Sequence, residues 1–187
     1  MRYIRRFLWF VASKMLIFSL IAALLILAFY LAMNAANIFV LLSDGMKERT
    51  NVILTRENPD YLNEFFRKEF LDNDEKLRVG LSPESDYLNY RITGFESSVT
   101  LEWVWSWPWE DEAQATIVHR VTDIRGSVLS SKSSLVRTGK ITAQPPGWQG
   151  GRYDVELYRV NGQWKIAGMR QTQVIVESPP PQPTISP

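Results

Sequence analysis

The chain has 187 residues, a formal net charge of +1, 10 Gly, 10 Pro and no Cys. This length suits one ordinary domain with an appended segment, and an aromatic content of 12% excludes a wholly disordered or collagen-like chain. The lack of cysteine excludes a disulfide framework and a thiolate metal site. A single histidine, His119, excludes any site that needs two imidazole ligands.

An uncharged apolar run extends from Met15 to Met33, and apolar residues resume at residues 38–42. A bilayer core of about 30 Å is spanned by roughly 20 apolar residues. A soluble core helix of this length would show a polar face at a spacing of 3.6 residues, and this run shows none. The sequence therefore predicts a transmembrane helix.

The flanking charges predict its orientation. Arg2, Arg5, Arg6 and Lys14 precede the run without an acidic residue among them, so the positive-inside rule places the N-terminus in the cytoplasm and the rest outside. The alternative is a cleaved signal peptide, whose apolar region is normally shorter and ends in a small-x-small site. Without those four cations the chain is slightly acidic, which argues against a nucleic-acid partner.

Two helical segments are predicted after the span. Near-helical spacing of apolar residues continues to Arg56, and Asn58-Pro59 is typical of a helix start. Over residues 59–72 an apolar stripe carries Phe65, Phe66 and Phe70, which we expect to be buried. The acidic run at residues 72–75 is interpreted as a solvated helix end, because it lacks the ligand spacing of a calcium loop.

Beyond Asn73 the period changes to two. The segment 99–107 predicts a strand with Trp103, Trp105 and Trp107 on the face of Val99 and Leu101, and residues 115–121 predict its return strand. Asn161-Gly162 between two alternating runs predicts a hairpin. The predicted fold is α+β: a transmembrane helix, then one or two helices packed on a curved antiparallel sheet of four to six strands.

The final hairpin, from Tyr153 to Ile166, carries an Asn-Gly-x-Trp-x-Ile pattern that resembles the closing hairpin of nuclear-transport-factor-like cone folds. With one span and a short basic tail, the layout is similar to that of the bitopic scaffold protein of type IV secretion systems. The resemblance implies a cone-like exported domain that binds other proteins. The chain departs from that family in having fewer predicted helices.

The segment Trp103–Trp109 is the candidate binding site, through Trp103, Trp105, Trp107 and Trp109. An aromatic strip of this kind either forms a stacking platform for a sugar ring or a partner, or is the inner face of the sheet packed by the three phenylalanines. A membrane-facing rim is a third possibility, because tryptophan favours the membrane interface. Pro108 lacks an N–H, which indicates an edge or the end of a strand.

His119 lies on the predicted face of Ala115, Ile117 and Val121 and is interpreted as a structural residue. The alternative is a hydrolase or isomerase on a cone fold that uses His119 for proton transfer. No spacing of titratable groups marks such a site. We therefore predict no catalytic residue, no metal site and no cofactor.

These patterns divide the chain into five segments: a basic cytoplasmic tail (1–14), a transmembrane helix with its outer extension (15–42), a helical stalk (43–57), an exported α+β domain (58–177) and a proline-rich tail (178–187). The predicted function is that of a non-enzymatic single-pass membrane protein. Its partners would be the lipid bilayer and other proteins or its own copies, in a cell-envelope assembly. The alternative is a module that binds a ligand or a cell-wall glycan through the tryptophan strip.

Overall fold

The structure is a computed structural model that describes residues 2–175, and side-chain surroundings from residue 9 onward. It is an α+β fold, as predicted, with a long apolar helix, a few short helices and one open antiparallel sheet. The predicted proline-rich tail lies outside the described residues.

Helix α1 runs without interruption through Arg2–Thr55, 54 residues in all. Its N-terminal part from Trp9 is long and apolar enough to cross a membrane, and most of its large apolar side chains from Trp9 to Met33 are exposed. Its C-terminal part differs, because Ile38, Leu42, Met46 and Leu54 are fully buried in the core. Both the end of the predicted outer extension (15–42) and the predicted stalk (43–57) therefore contribute side chains to the core of the domain.

The segment predicted as one helix over residues 59–72 is two pieces, a 3₁₀ helix at Pro59–Glu64 and helix α2 at Lys68–Asn73. Asn58 caps the first, as its sequence position predicts, by accepting a hydrogen bond from the Asp60 N–H. The break arises because residues 65–67 pair with the last strand through Phe66 and Ile166. Backbone groups used in this pairing are not available to a continuous helix.

Helix α3 follows at Glu75–Leu81 and packs against α1. Gly80 permits this contact, since a Cβ at that position would lie 2.7 Å from the Ile53 Cγ2. The core side chains of α1 and α3, Ile53 and Leu77, are both buried.

Four strands follow in a simple meander, β1 at Tyr90–Ser106, β2 at Glu112–Val128, β3 at Gly150–Val160 and β4 at Gln163–Ile175. A short 3₁₀ helix at Ser130–Lys132 and helix α4 at Ser133–Arg137 lie between β2 and β3. The predicted hairpin at Asn161-Gly162 is confirmed, with φ values of 51° and 81° that suit this tight turn.

One face of the sheet packs against α1 and the short helices and is called the inner face. Its central side chains are small or aliphatic: Ala113, Ala115, Ile117, Val155, Leu157 and Ile166. The opposite face, called the outer face, is covered by no element among the described residues. The core therefore lies entirely on one side of the sheet.

Candidate functional site

A β-bulge in β1 decides where the tryptophans point. Leu101 pairs with Ile117, but Trp103 pairs with Thr116, so Glu102 is an extra residue in β1. One extra residue reverses the alternation of side chains beyond it. The prediction that Trp103 and Trp105 share a face with Leu101 is therefore wrong.

Val104 and Ser106 occupy the inner face beyond the bulge, and Ser106 is buried there opposite Ala113. Trp103 and Trp105 consequently lie on the outer face, where 48% and 47% of each residue is exposed. The interpretation of the strip as the inner face of the sheet, packed by phenylalanines, is not what the structure shows. These two residues are called the outer pair.

Trp107 and Trp109 lie beyond the end of β1, in the reversal that leads to β2. The Trp107 ring stacks on the Trp109 ring with centroids 5.0 Å apart, and it meets the Trp105 ring edge-on at 5.1 Å. Trp109 is 72% exposed. These two residues are called the rim pair, because the reversal forms one end of the sheet.

A groove of about 500 Å³ runs along the outer face beside Trp103. Arg170 and Thr116 both contact Asp154, at 3.1 Å and 3.2 Å, so polar groups are already ordered in it. An aromatic face beside carboxylate, hydroxyl and amide groups suits sugar hydroxyls or a polar peptide. Its polar lining is Gln114, Thr116, Asp154, Glu156 and Arg170.

A second, smaller concavity of about 280 Å³ lies beside Trp105 and is acidic. Its lining includes Glu110, Glu112 and Glu156. The Glu112 carboxylate raises the pKa of Tyr158 above its ordinary value. The outer face near the tryptophans therefore favours a basic or hydrogen-bond-donating partner.

The strand that carries the outer pair is an edge strand. β1 is 17 residues long and, within residues 2–175, hydrogen-bonds to β2 alone. Its other edge pairs with no strand in that range, although α1 packs more closely on β1 than on the other strands, and an edge of this kind can accept a strand of another chain. β4 at the opposite edge differs, since Phe65 and Arg67 cover part of it through backbone hydrogen bonds to Ile166.

A buried ion pair on the inner side was not predicted. The Arg49 Nε and Nη2 donate to the two carboxylate oxygens of Asp74 at 2.6 and 2.7 Å, and both side chains are 4% exposed. The interpretation of residues 72–75 as a solvated helix end is thus wrong at Asp74. Two features of the sequence could have indicated this pair. Arg49 is a cation within the apolar stripe of α1, and Asp74 stands where a helix starts.

Next to this pair, Lys76 lies over the Trp148 ring, with its Nζ 4.7 Å from the centroid. Burial and the Arg49 charge lower the pKa of Lys76 to about 8. A concavity of about 500 Å³ adjoins these residues and is also lined by Tyr153 and Gln171. The charges of Arg49 and Asp74 there are paired with each other.

His119 is fully buried on the inner face, on the face of Ala115, Ile117 and Val121 that its sequence position predicts. Its Nε2 lies 3.1 Å from the Ser97 Oγ. Burial, with smaller contributions from Arg49 and Lys76, lowers the pKa of His119 to about 4. The imidazole is therefore neutral at physiological pH.

Comparison of the chain with protein-family models, with curated proteins and with solved structures finds no match. The resemblance to cone-fold domains and to secretion scaffold proteins therefore stays a prediction.

Proposed function

We propose that this protein is a single-pass membrane protein whose exported domain assembles with other protein chains through β1 and the outer pair. The N-terminus lies in the cytoplasm and residues after the span lie outside, in keeping with the four N-terminal cations. The domain acts by binding, as in the scaffold proteins that its layout resembles.

The observation that carries the proposal is that one edge of β1 pairs with no strand within residues 2–175. A 17-residue edge strand is long for a soluble domain, and such edges are usually shortened, covered or charged to prevent pairing. Here Ser98 and Thr100 are exposed, uncharged side chains, and the exposed charges of Glu96 and Glu102 lie on either side of them. The half-exposed outer pair follows on the same strand, so a partner strand would gain both backbone pairing and an aromatic contact.

The continuity of α1 supports the membrane anchor. The same helix that is exposed and apolar up to Met33 enters the core at Ile38, so the domain is fixed directly to the span without a flexible linker. A chain anchored in this way is confined to two dimensions and oriented. Weak edge contacts then act at a high effective concentration.

The test is crosslinking in membranes, with a photoreactive amino acid at Thr100 of the full chain and a control at Ser131. Both positions are exposed, and Ser131 lies at the other end of the sheet. We expect protein adducts from Thr100 and far fewer from Ser131. Ser98→Lys adds a charge at an exposed position of the edge strand and should remove the adducts. Equal adducts from Thr100 and Ser131 would contradict the proposal.

Glycan binding is a second candidate, favoured by the groove beside Trp103. An indole face next to Gln114 and Glu156 offers stacking and hydrogen-bond acceptors to a sugar ring. Titration with soluble cell-wall glycan fragments should then quench the tryptophan emission of the wild type. A Trp103→Ala variant should lose the response and a Trp9→Ala variant should keep it, whereas unchanged emission of the wild type would exclude this candidate.

A further inference from the structure

The rim pair lies at the end of the sheet from which the apolar span emerges. The reversal between β1 and β2 is held beside the β3–β4 turn, because the Arg159 N–H donates to the Asp111 carbonyl at 2.7 Å. Both reversals therefore form one rim. Trp109 lies in the part of the reversal that extends past the last pair of β1 and β2, Ser106 and Ala113.

This rim is at the level of α1 where the apolar run ends. The Arg159 side chain donates to the Asn34 Oδ1 at 3.5 Å, and Asn34 directly follows Met33, the last residue of the uncharged run. The run Met15–Met33 extends about 27 Å along a helix, close to the thickness of a bilayer core. With the run in the bilayer, the rim reaches the outer head-group layer.

The side chains of the rim suit that layer. Tryptophan concentrates at membrane interfaces, where its ring contacts lipid and its N–H contacts water. Trp109 is the most exposed tryptophan of the sheet domain, and Trp107 stacks against it to form one aromatic surface. The neighbouring Glu110 and Asp111 do not favour an anionic surface, so the contact would depend on the indoles and not on lipid charge.

We propose that the rim pair inserts into the outer interfacial layer of the bilayer that α1 crosses, and so holds the exported domain against the membrane through a second contact. This inference rests on the proposed function, because it requires that α1 spans the membrane. Trp107 and Trp109 are the lipid-contacting residues, whereas Arg159 is a positioning residue that ties the rim to α1.

The chain contains no cysteine, so a single introduced cysteine carries a nitroxide label at one site. The full chain is reconstituted in phosphatidylcholine vesicles with the label at Glu110→Cys, at Leu24→Cys in the span, or at Ser131→Cys at the opposite end of the sheet. Collisions with oxygen, which concentrates in lipid, and with a water-soluble nickel complex report the depth of each label. All tryptophans are retained in these three variants.

We expect oxygen to dominate at Leu24, the nickel complex to dominate at Ser131, and Glu110 to show an intermediate, head-group depth. In the background Trp107→Ala with Trp109→Ala, the label at Glu110 should move to the water-exposed value of Ser131. A control background, Trp103→Ala, should leave the Glu110 depth unchanged.

Three results would each overturn a proposal, and they are distinguishable. A water-exposed label at Leu24 would overturn the anchor, and with it both proposals. A lipid-exposed Leu24 with Glu110 as water-exposed as Ser131 would overturn the rim contact alone. A Glu110 label shielded from both reagents would show that protein, not lipid, covers the rim, and would also overturn it.

Discussion

The Arg49 guanidinium and the Asp74 carboxylate join the long helix to the start of α3 through two hydrogen bonds of 2.6 and 2.7 Å. Asp74 also accepts a hydrogen bond from the Leu77 N–H and so caps α3. One buried carboxylate therefore fixes both the position and the start of this helix on α1. The pair closes the core at the side away from the rim.

Removal of this carboxylate should destabilise the domain strongly. In Asp74→Asn the buried Arg49 loses its counter-charge, and breaking a buried pair in this way costs about 3–5 kcal/mol of the free energy of unfolding. Glu75→Gln is the matched control, because Glu75 is exposed and should change stability by less than about 0.5 kcal/mol. Denaturant titration of the full chain in detergent, followed by circular dichroism, measures both. Equal stability of the two variants would contradict the structural role of the pair.

Gly80 should not tolerate a side chain. Gly80→Ala places a Cβ 2.7 Å from the Ile53 Cγ2, so α3 must move away from α1, at a cost of about 1–3 kcal/mol. Gly147→Ala is the control, since a Cβ there meets nothing within 4 Å. Combining Gly80→Ala with Ile53→Val would keep the clash, because valine retains a Cγ2, whereas Ile53→Ala should relieve it. Because Ile53→Ala itself removes a buried side chain, thermal unfolding should compare Gly80→Ala with the wild type and the double variant with Ile53→Ala alone. An equal loss from Gly80→Ala in both backgrounds would contradict the clash.

The stability of the domain should depend on His119 below neutral pH. The folded state holds the pKa of His119 at about 4, against 6.5 for the free side chain. Between these values the unfolded chain binds a proton that the folded chain does not. The free energy of unfolding is therefore unaffected by His119 titration above pH 6.5. It falls by about 3 kcal/mol in total as the pH is lowered from 6.5 toward 4, because only the unfolded chain gains the proton.

The variant His119→Leu isolates this effect. Its free energy of unfolding should fall less steeply than that of the wild type between pH 6.5 and 4, although its absolute stability also changes because the Ser97 hydroxyl loses a partner. Parallel curves for the two proteins would show that His119 is protonated normally in the folded state.

The core should require α1 from Ile38 onward. A fragment that begins at residue 44 lacks the fully buried Ile38 and Leu42, whose burial stabilises the fold by about 3–6 kcal/mol together. A fragment that begins at residue 34 retains both. We expect the longer fragment to unfold cooperatively and the shorter one to be much less stable or unfolded. Similar denaturant midpoints would show that this part of α1 is not needed in the core.

The sequence was sufficient for the features that depend on local pattern. The uncharged run, the Asn58 cap, the Asn161-Gly162 turn and the α+β class follow from hydropathy, capping and turn chemistry. The buried position of His119 also followed from the alternation of its strand.

The remaining features depend on contacts between distant segments. The bulge at Glu102 does not change the pattern of apolar and polar residues along β1, because Val104 on one face and Trp105 on the other are both apolar. The sequence therefore gives no indication of it. The break of the helix at residues 65–67 depends on a strand about 100 residues later in the chain. The pairing of Arg49 with Asp74 could not be predicted either, since Asp74 lies in a run of polar residues.

Both proposals require that the full chain spans the membrane with its N-terminus in the cytoplasm. Single-cysteine variants Ser13→Cys and Ser131→Cys, in right-side-out membrane vesicles, are treated with a membrane-impermeant maleimide before and after permeabilisation. We expect Ser131→Cys to react in intact vesicles and Ser13→Cys to react only after permeabilisation, with the chain retained in the membrane after alkaline carbonate extraction. Release of the chain by carbonate, or the reverse labelling pattern, would contradict both proposals.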